Sequence, residues 1–205
     1  SLWSWIMTND KNNFSYGGRG ELSTNIGEWG FTYHKDPSKS LQQVGQFGDS
    51  ISSPQNRLAI DYRYDGFIGF WNESAMINSD ELEFSIITVG VDYTLPIANG
   101  ILVMTESMHI LKKENVLTSS INYTAFMASL SISMTHQLMF ISNMDWDENH
   151  IYNYLRWSNI YDHYSLNLLL SISPKRSDYD IPLEYLPNTL VGYGTGIQFM
   201  FIYNH

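Results

Sequence analysis

The sequence predicts an all-β chain: about twelve antiparallel strands running up and down in chain order and closing into a transmembrane β-barrel. Three observations carry that expectation. Apolar and polar residues alternate with a period of two from end to end, as in strands with two unlike faces. No sustained 3.6-residue stripe marks a helix. Every second connection is short, and those between are mostly longer and more polar.

The strands are expected at 1–8, 14–24, 28–35, 57–64, 67–77, 84–95, 101–111, 119–133, 137–146, 151–161, 164–173 and 189–204. Their length of roughly ten residues is what a tilted membrane strand needs. In the third, Glu28-Trp29-Gly30-Phe31-Thr32-Tyr33-His34 alternates strictly. The fourth is the cleanest: Leu58, Ile60, Tyr62 and Tyr64 are apolar or aromatic, whereas Arg57, Ala59, Asp61 and Arg63 are charged or small. The fifth and seventh alternate poorly, and Glu73 and Glu106 fix their phase. In the sixth, Ile87, Val89, Val91, Tyr93 and Leu95 oppose Thr88, Gly90, Asp92 and Thr94. The eleventh alternates from Ser165 to Ile172 with one lapse at Leu169. In the last, Val191, Tyr193, Thr195, Ile197, Phe199, Phe201 and Tyr203 share a side opposite Gly192, Gly194, Gly196 and Gln198.

The short connections are Asn25-Ile26-Gly27, Asp65-Gly66, Pro96 to Gly100, Thr135-His136 and Asp162-His163. The others run from Asn9 to Asn13, Asp36 to Asn56, Asn78 to Glu83, Lys112 to Thr118, Asp147 to His150 and Pro174 to Asn188. A two-residue turn at Asp65-Gly66 sets Tyr64 opposite Ile68, so that Asp61 faces Trp71 and Glu73 lies diagonal to Arg57 and Asp61. An even strand count puts both termini on the short-turn side.

Composition narrows the class. The 205 residues are 43% hydrophobic, 16% charged and 15% aromatic, and suit one large domain or two small ones. Charge lies well below the ~25% of an ordinary soluble domain, yet mean hydropathy is only −0.21. No stretch approaches the ~20 apolar residues of a membrane helix, which excludes a helical membrane protein. The aromatic load excludes disorder. The absence of cysteine excludes a disulfide framework and a Cys-based zinc site. A formal charge of −10 argues against a nucleic-acid partner. The chain opens at Ser1-Leu2-Trp3 without initiator Met or signal peptide, as expected of a mature form or of a fragment.

A soluble β-sandwich or lipocalin-like barrel also alternates, but it packs its apolar face inward and presents a polar one. Here the face opposite the apolar row carries Gly, Thr, Arg, Asp and Glu, and aromatics gather at strand ends. With this alternation, the tight turns at one end, the long loops at the other and the terminal strand Gly196 to His205, the chain resembles the bacterial outer-membrane β-barrels of the porin-like kind. The last strand is similar to their assembly signal, with aromatics at every second position, although it ends in His205 rather than Phe or Trp. The resemblance is one of architecture over the whole chain. It implies residence in the bacterial cell outer membrane, short periplasmic turns and long extracellular loops. It implies one barrel domain over 1–205, or the C-terminal part of a larger barrel.

The first candidate site is the set of charges expected to face the lumen: Arg19, Glu21, Glu28, His34, Arg57, Asp61, Arg63, Glu73, Asp92, Glu106 and Arg156. A lipid-facing Arg or Lys at the midplane costs about 2–4 kcal/mol, and Asp or Glu somewhat less, which drives these groups inward. They suit a charged conduit; the same set would serve as a salt-bridged plug in a narrow interior.

The second set faces outward. Thr105, Ser107 and His109 share one side of the seventh strand, Asn122 and Thr124 are outward on the eighth, and hairpin parity allows His109 to pair with Asn122, with Ser107 one step deeper. The trio Ser107, His109 and Asn122 resembles the Ser-His-Asn arrangement of outer-membrane phospholipase A, in which His takes the serine proton and Asn holds the imidazole. The His-x-Ser order of that family is reversed here to Ser107-Met108-His109.

The acidic tip from Asp145 to His150 lacks the glycine and terminal bidentate Glu of a calcium loop and is expected to be a solvated turn. Gly17-Gly18-Arg19-Gly20 precedes no helix and is no phosphate loop. The Ser/Gln/Gly-rich stretch from Ser38 to Asn56 has no catalytic pattern.

The favoured function is passive passage of small polar solutes or ions, with membrane lipid as the other partner and no cofactor or metal. A lipid-facing hydrolase is the first alternative. A non-catalytic subunit bound to an envelope protein is the second.

Overall fold

The computed structural model describes residues 1–8, 12–37, 42–44, 49–51, 54–80, 82–114, 117–175 and 193–203. The strands are β1 (Leu2–Thr8), β2 (Phe14–Thr24), β3 (Gly27–Asp36), β4 (Gln42–Val44), β5 (Asp49–Ile51), β6 (Gln55–Asp65) and β7 (Gly69–Ser79). They continue as β8 (Leu82–Leu95), β9 (Ile101–Glu114), β10 (Leu117–Ser131), β11 (His136–Asp145), β12 (His150–Ile160), β13 (Tyr164–Lys175) and β14 (Tyr193–Tyr203). Among the described residues there is no helix. Twelve strands form one sheet in chain order, with β4 and β5 set apart as a two-stranded hairpin.

That hairpin falls in the stretch expected to be loop. Its register is Gln42↔Ile51, Gln43↔Ser50 and Val44↔Asp49. The expectation of a closed barrel is met only in part. Among the described residues the strand order begins at β1 and ends at β14, and no pairing joins these two strands. Alternation specifies which face each residue takes; closure also needs strand tilt and a staggered register, which alternation does not encode.

The chain divides into two units, Ser1–Val91 with Met108–Asn122, and Asp92–Ser107 with Tyr123–His205. In the first, the registers place Arg19, Glu21, Thr32, His34, Arg57, Asp61, Arg63 and Glu73 on one face, with Glu28 opposite Arg63. The other face carries Leu22, Trp29, Phe31, Tyr33, Leu58, Ile60 and Tyr62. In the second, Leu138, Phe140, Leu155, Trp157, Leu168, Leu170, Phe199 and Phe201 share the apolar face. Arg156, Ser158, Asn167 and Ser171 lie on the opposite one.

Burial is inverted relative to a water-soluble domain. Leu82, at 6% exposure, is the one buried hydrophobic residue among those described, packed by Ile77 and Phe84. The other buried side chains are polar: Ser15, Asp36, Gln55, Asp145, Ser158, Asn159, Asn167, Ser171 and Ser173. The apolar rows are exposed, with Ile60 at 45% and Phe199 at 64%.

At the short-turn end of the first unit Tyr62 lies against Trp29 and Phe70, with ring centroids 4.3 and 5.8 Å apart. In the second, Tyr164 lies against Tyr161 and Phe201 at 4.5 and 5.9 Å, and His136 against Trp157 at 6.1 Å. These aromatic contacts lie near strand ends.

Several boundaries differ from expectation. β8, β9 and β10 have 14, 14 and 15 residues. The stretches from Asn78 to Glu83 and from Lys112 to Thr118, expected as loops, are therefore mostly strand. The end of β7 is tied to the start of β8 because Ser79 Oγ accepts from Leu82 N at 2.9 Å and donates to Leu82 O at 3.0 Å. Lys113 stays in the strand by pairing with Glu83 at 3.1 Å. The expected loop from Pro174 to Asn188 lies outside the described residues beyond Lys175, as does most of the expected loop from Asn9 to Asn13.

The β6–β7 turn bends through residues 66–68, so Asp65 pairs with Gly69 and Asp61 stands directly opposite Glu73, not Trp71. The slip is by two residues, so every side chain keeps its face. Between β13 and β14 the register shifts by one between Ile172 and Lys175, a bulge that accommodates Pro174 beside Gly194 at φ 81°. Residues 189–192, expected to open the last strand, lie outside the described residues.

Candidate functional site

The densest polar constellation is the charged face of the first unit. β2 contributes Arg19 and Glu21, and β3 contributes Glu28, Thr32 and His34. β6 adds Gln55, Arg57, Asp61 and Arg63, and β7 adds Glu73. Strict alternation in β3 and β6 puts all of these on one side, since residues two apart share a face.

Arg19 is the hub. Its Nε donates to Glu21 Oε1 at 2.9 Å, its Nη1 donates to Thr32 Oγ1 at 2.9 Å, and its Nη2 contacts Asp61 Oδ2. Ser1 Oγ donates to the other oxygen of Glu21 at 3.0 Å. To meet Asp61 on β6 the guanidinium crosses β3 at Gly30. A Cβ at Gly30 would overlap Asp61 Oδ2 and Arg19 Nη2, so only glycine leaves that passage open.

Trp5 repeats the device one strand earlier. Its indole lies over Gly17, where a Cβ would stand 2.6 Å from Trp5 Cζ2, and its Nε1 donates to His34 Nδ1 at 2.8 Å. That bond makes Nδ1 the acceptor and leaves Nε2 to carry the proton. His34 stands opposite Arg57, whose Nε and Nη2 donate to Gln55 Oε1 at 3.2 and 3.1 Å. Gln55 is 1% exposed, and its Nε2 meets no hydrogen-bond partner among the described residues. Arg63 donates to both oxygens of Asp65 at 3.1 Å.

Eight of the expected lumen residues therefore share one face, with Arg19, Glu21 and Asp61 in direct contact and Glu73 opposite Asp61. The other three belong to the second unit. Asp92 and Glu106 are half-buried on β8 and β9, and Arg156 Nη2 donates to Asn167 Oδ1 at 3.0 Å. Sequence reasoning missed Trp5, Thr32 and Gln55. The glycines at inward positions between bulky polar residues were the available signal for the first two; Gln55 offered none.

The outward trio is divided. His109 Nδ1 and Asn122 Oδ1 are 2.7 Å apart, as hairpin parity predicts. Ser107 Oγ shares its hydrogen bond with Thr124 Oγ1 at 3.0 Å, and Thr124 also accepts from Trp146 Nε1 at 2.9 Å. The acidic tip is a closed turn: Asp145 Oδ1 accepts from the backbone N–H groups of Asp147 and Glu148 at 3.0 and 3.1 Å. Among the described residues no group of His, Asp and Glu is arranged to hold a metal ion.

No family model, no curated protein and no solved structure matches this chain.

Proposed function

We propose that the chain is an outer-membrane β-barrel of a bacterium, closed in the bilayer, and that its charged face lines a conduit for small polar solutes or ions. The observation that carries this reading is the inverted burial: polar side chains are buried and long apolar rows are exposed. In water such rows would be an aggregation hazard, because monomeric proteins keep contiguous apolar patches to a few hundred Å². In hydrocarbon the same rows are solvated, and the alternation becomes the lipid-out, lumen-in pattern of a spanning strand. The strand-end aromatics fit the level of the headgroups.

Passage needs no cofactor. Charges of both signs spaced along one face bind a permeating ion weakly and at several positions, which favours throughput over capture. The acids Glu21, Glu28, Asp61, Glu73, Asp92 and Glu106 outnumber Arg19, Arg57, Arg63 and Arg156, so the field is modestly negative and favours cations. Purified full-length chain added to a planar bilayer should give discrete conductance steps with a weak cation preference. Folded protein that inserts into vesicles yet leaves the bilayer silent would contradict the conduit and favour a salt-bridged plug.

The 2.7 Å pair of His109 and Asn122 favours a second reading, a lipid-facing hydrolase with Ser107 as nucleophile. It requires Ser107 Oγ to leave Thr124 for His109. Release of fatty acid from phospholipid vesicles, lost in Ser107→Ala, is its test.

A further inference from the structure

We infer that Arg19 sets the charge selectivity of the conduit by acting as a tethered counter-cation among Glu21, Asp61 and Glu73; this rests on the conduit reading above. Asp61 and Glu73 are directly opposite on β6 and β7. Like charges in that relation repel. Arg19 is the cation bonded to Asp61, and it is held on three sides by Glu21, Thr32 and Asp61. The planar fork lets one cation meet all three groups at once.

The passage over Gly30 shows that the contact is built into the backbone. Any side chain on β3 at that position would occupy the space shared by Asp61 Oδ2 and Arg19 Nη2. The set Glu21, Asp61, Glu73 and Arg19 carries a formal charge of −2, from three carboxylates and one guanidinium. Removing the guanidinium leaves −3 and vacates the position between Glu21 and Asp61. A mobile cation then takes the place of the tethered one, so Arg19 holds the conduit weakly rather than strongly cation-selective. It also keeps multivalent cations from lodging there.

The test compares wild type with Arg19→Gln in two measurements. Reversal potentials across a KCl gradient should show a several-fold higher cation-to-anion permeability ratio in Arg19→Gln. Calorimetric titration of the folded protein in detergent with Ca²⁺ at low ionic strength should show binding at least tenfold tighter in Arg19→Gln than in wild type. Adding Asp61→Asn should abolish that gain. Arg19→Lys should keep the wild-type permeability ratio. Should Arg19→Gln fail to fold, Asp61→Asn alone reports the same coupling, since it frees the guanidinium and should shift the reversal potential toward anions. An unchanged permeability ratio together with unchanged Ca²⁺ affinity overturns the inference. A silent bilayer for every variant defeats the conduit, while the Ca²⁺ comparison still decides whether Arg19 is the counter-ion.

Discussion

Ile60→Arg places a cation in the middle of the apolar row. Ile60 is the sixth residue of β6, lies opposite Phe31 and Ser74, and is 45% exposed. Five residues separate it from each strand end, about 17 Å at ~3.3 Å per residue. A strand tilted by about 40° shortens that to a height of roughly 13 Å, near the midplane of a ~25 Å apolar band. There an arginine costs about 2–4 kcal/mol. At 1.4 kcal/mol per tenfold, the folding equilibrium falls by roughly 30- to 700-fold. Urea unfolding in lipid vesicles, followed by tryptophan emission, measures it. Ala59→Arg is the control: it lies one residue away on the charged face, flanked by Thr32 and Ala75, and should lose under a third as much. A loss within about 0.5 kcal/mol for Ile60→Arg, the usual effect on a water-exposed surface, would refute the lipid-facing assignment.

Three further outcomes are expected. Gly90→Val drives a side chain into the Trp71 indole and should cost about 1–3 kcal/mol in the same unfolding assay, with most of the loss recovered when Trp71→Ala is added. Asp92→Asn with Glu106→Gln should lower the cation-to-anion permeability ratio and Arg156→Gln should raise it, while increasing salt erodes the wild-type preference by screening. Detergent-solubilised protein should release no fatty acid from phospholipid with or without calcium, and His109→Ala should leave that baseline unchanged.

The parts of the fold that were legible are those that depend on parity alone. In β6 the alternation of Leu58, Ile60 and Tyr62 with Arg57, Ala59 and Asp61 assigned both faces, and the two-residue slip at the β6–β7 turn left them intact. The His109–Asn122 contact was legible for the same reason, since the hairpin between β9 and β10 fixes which positions meet.

Strand length was less legible. Lys112, Lys113 and Glu114 look like loop by polarity, yet backbone pairing continues through them because Lys113 finds Glu83 across the strand and Lys112 finds Glu114 along it. The β4–β5 hairpin was hidden in a Ser/Gln/Gly-rich stretch with little alternation to read. The Arg19–Asp61 bridge was not legible because it joins strands that are not neighbours. Its only trace is Gly30, and a glycine in a strand has many causes. Alternation reads the same in an open and in a closed sheet, so the pattern does not encode closure.

Nitroxide scanning of β6 tests the central claim most directly. The chain has no cysteine, so single cysteines at positions 58 to 62 can be labelled without background. In vesicles, labels at 58, 60 and 62 should relax with oxygen, which concentrates in hydrocarbon, and labels at 59 and 61 with a water-soluble nickel complex. A uniform response along the strand, or the opposite alternation, would contradict a membrane-spanning sheet with its charged face turned from lipid.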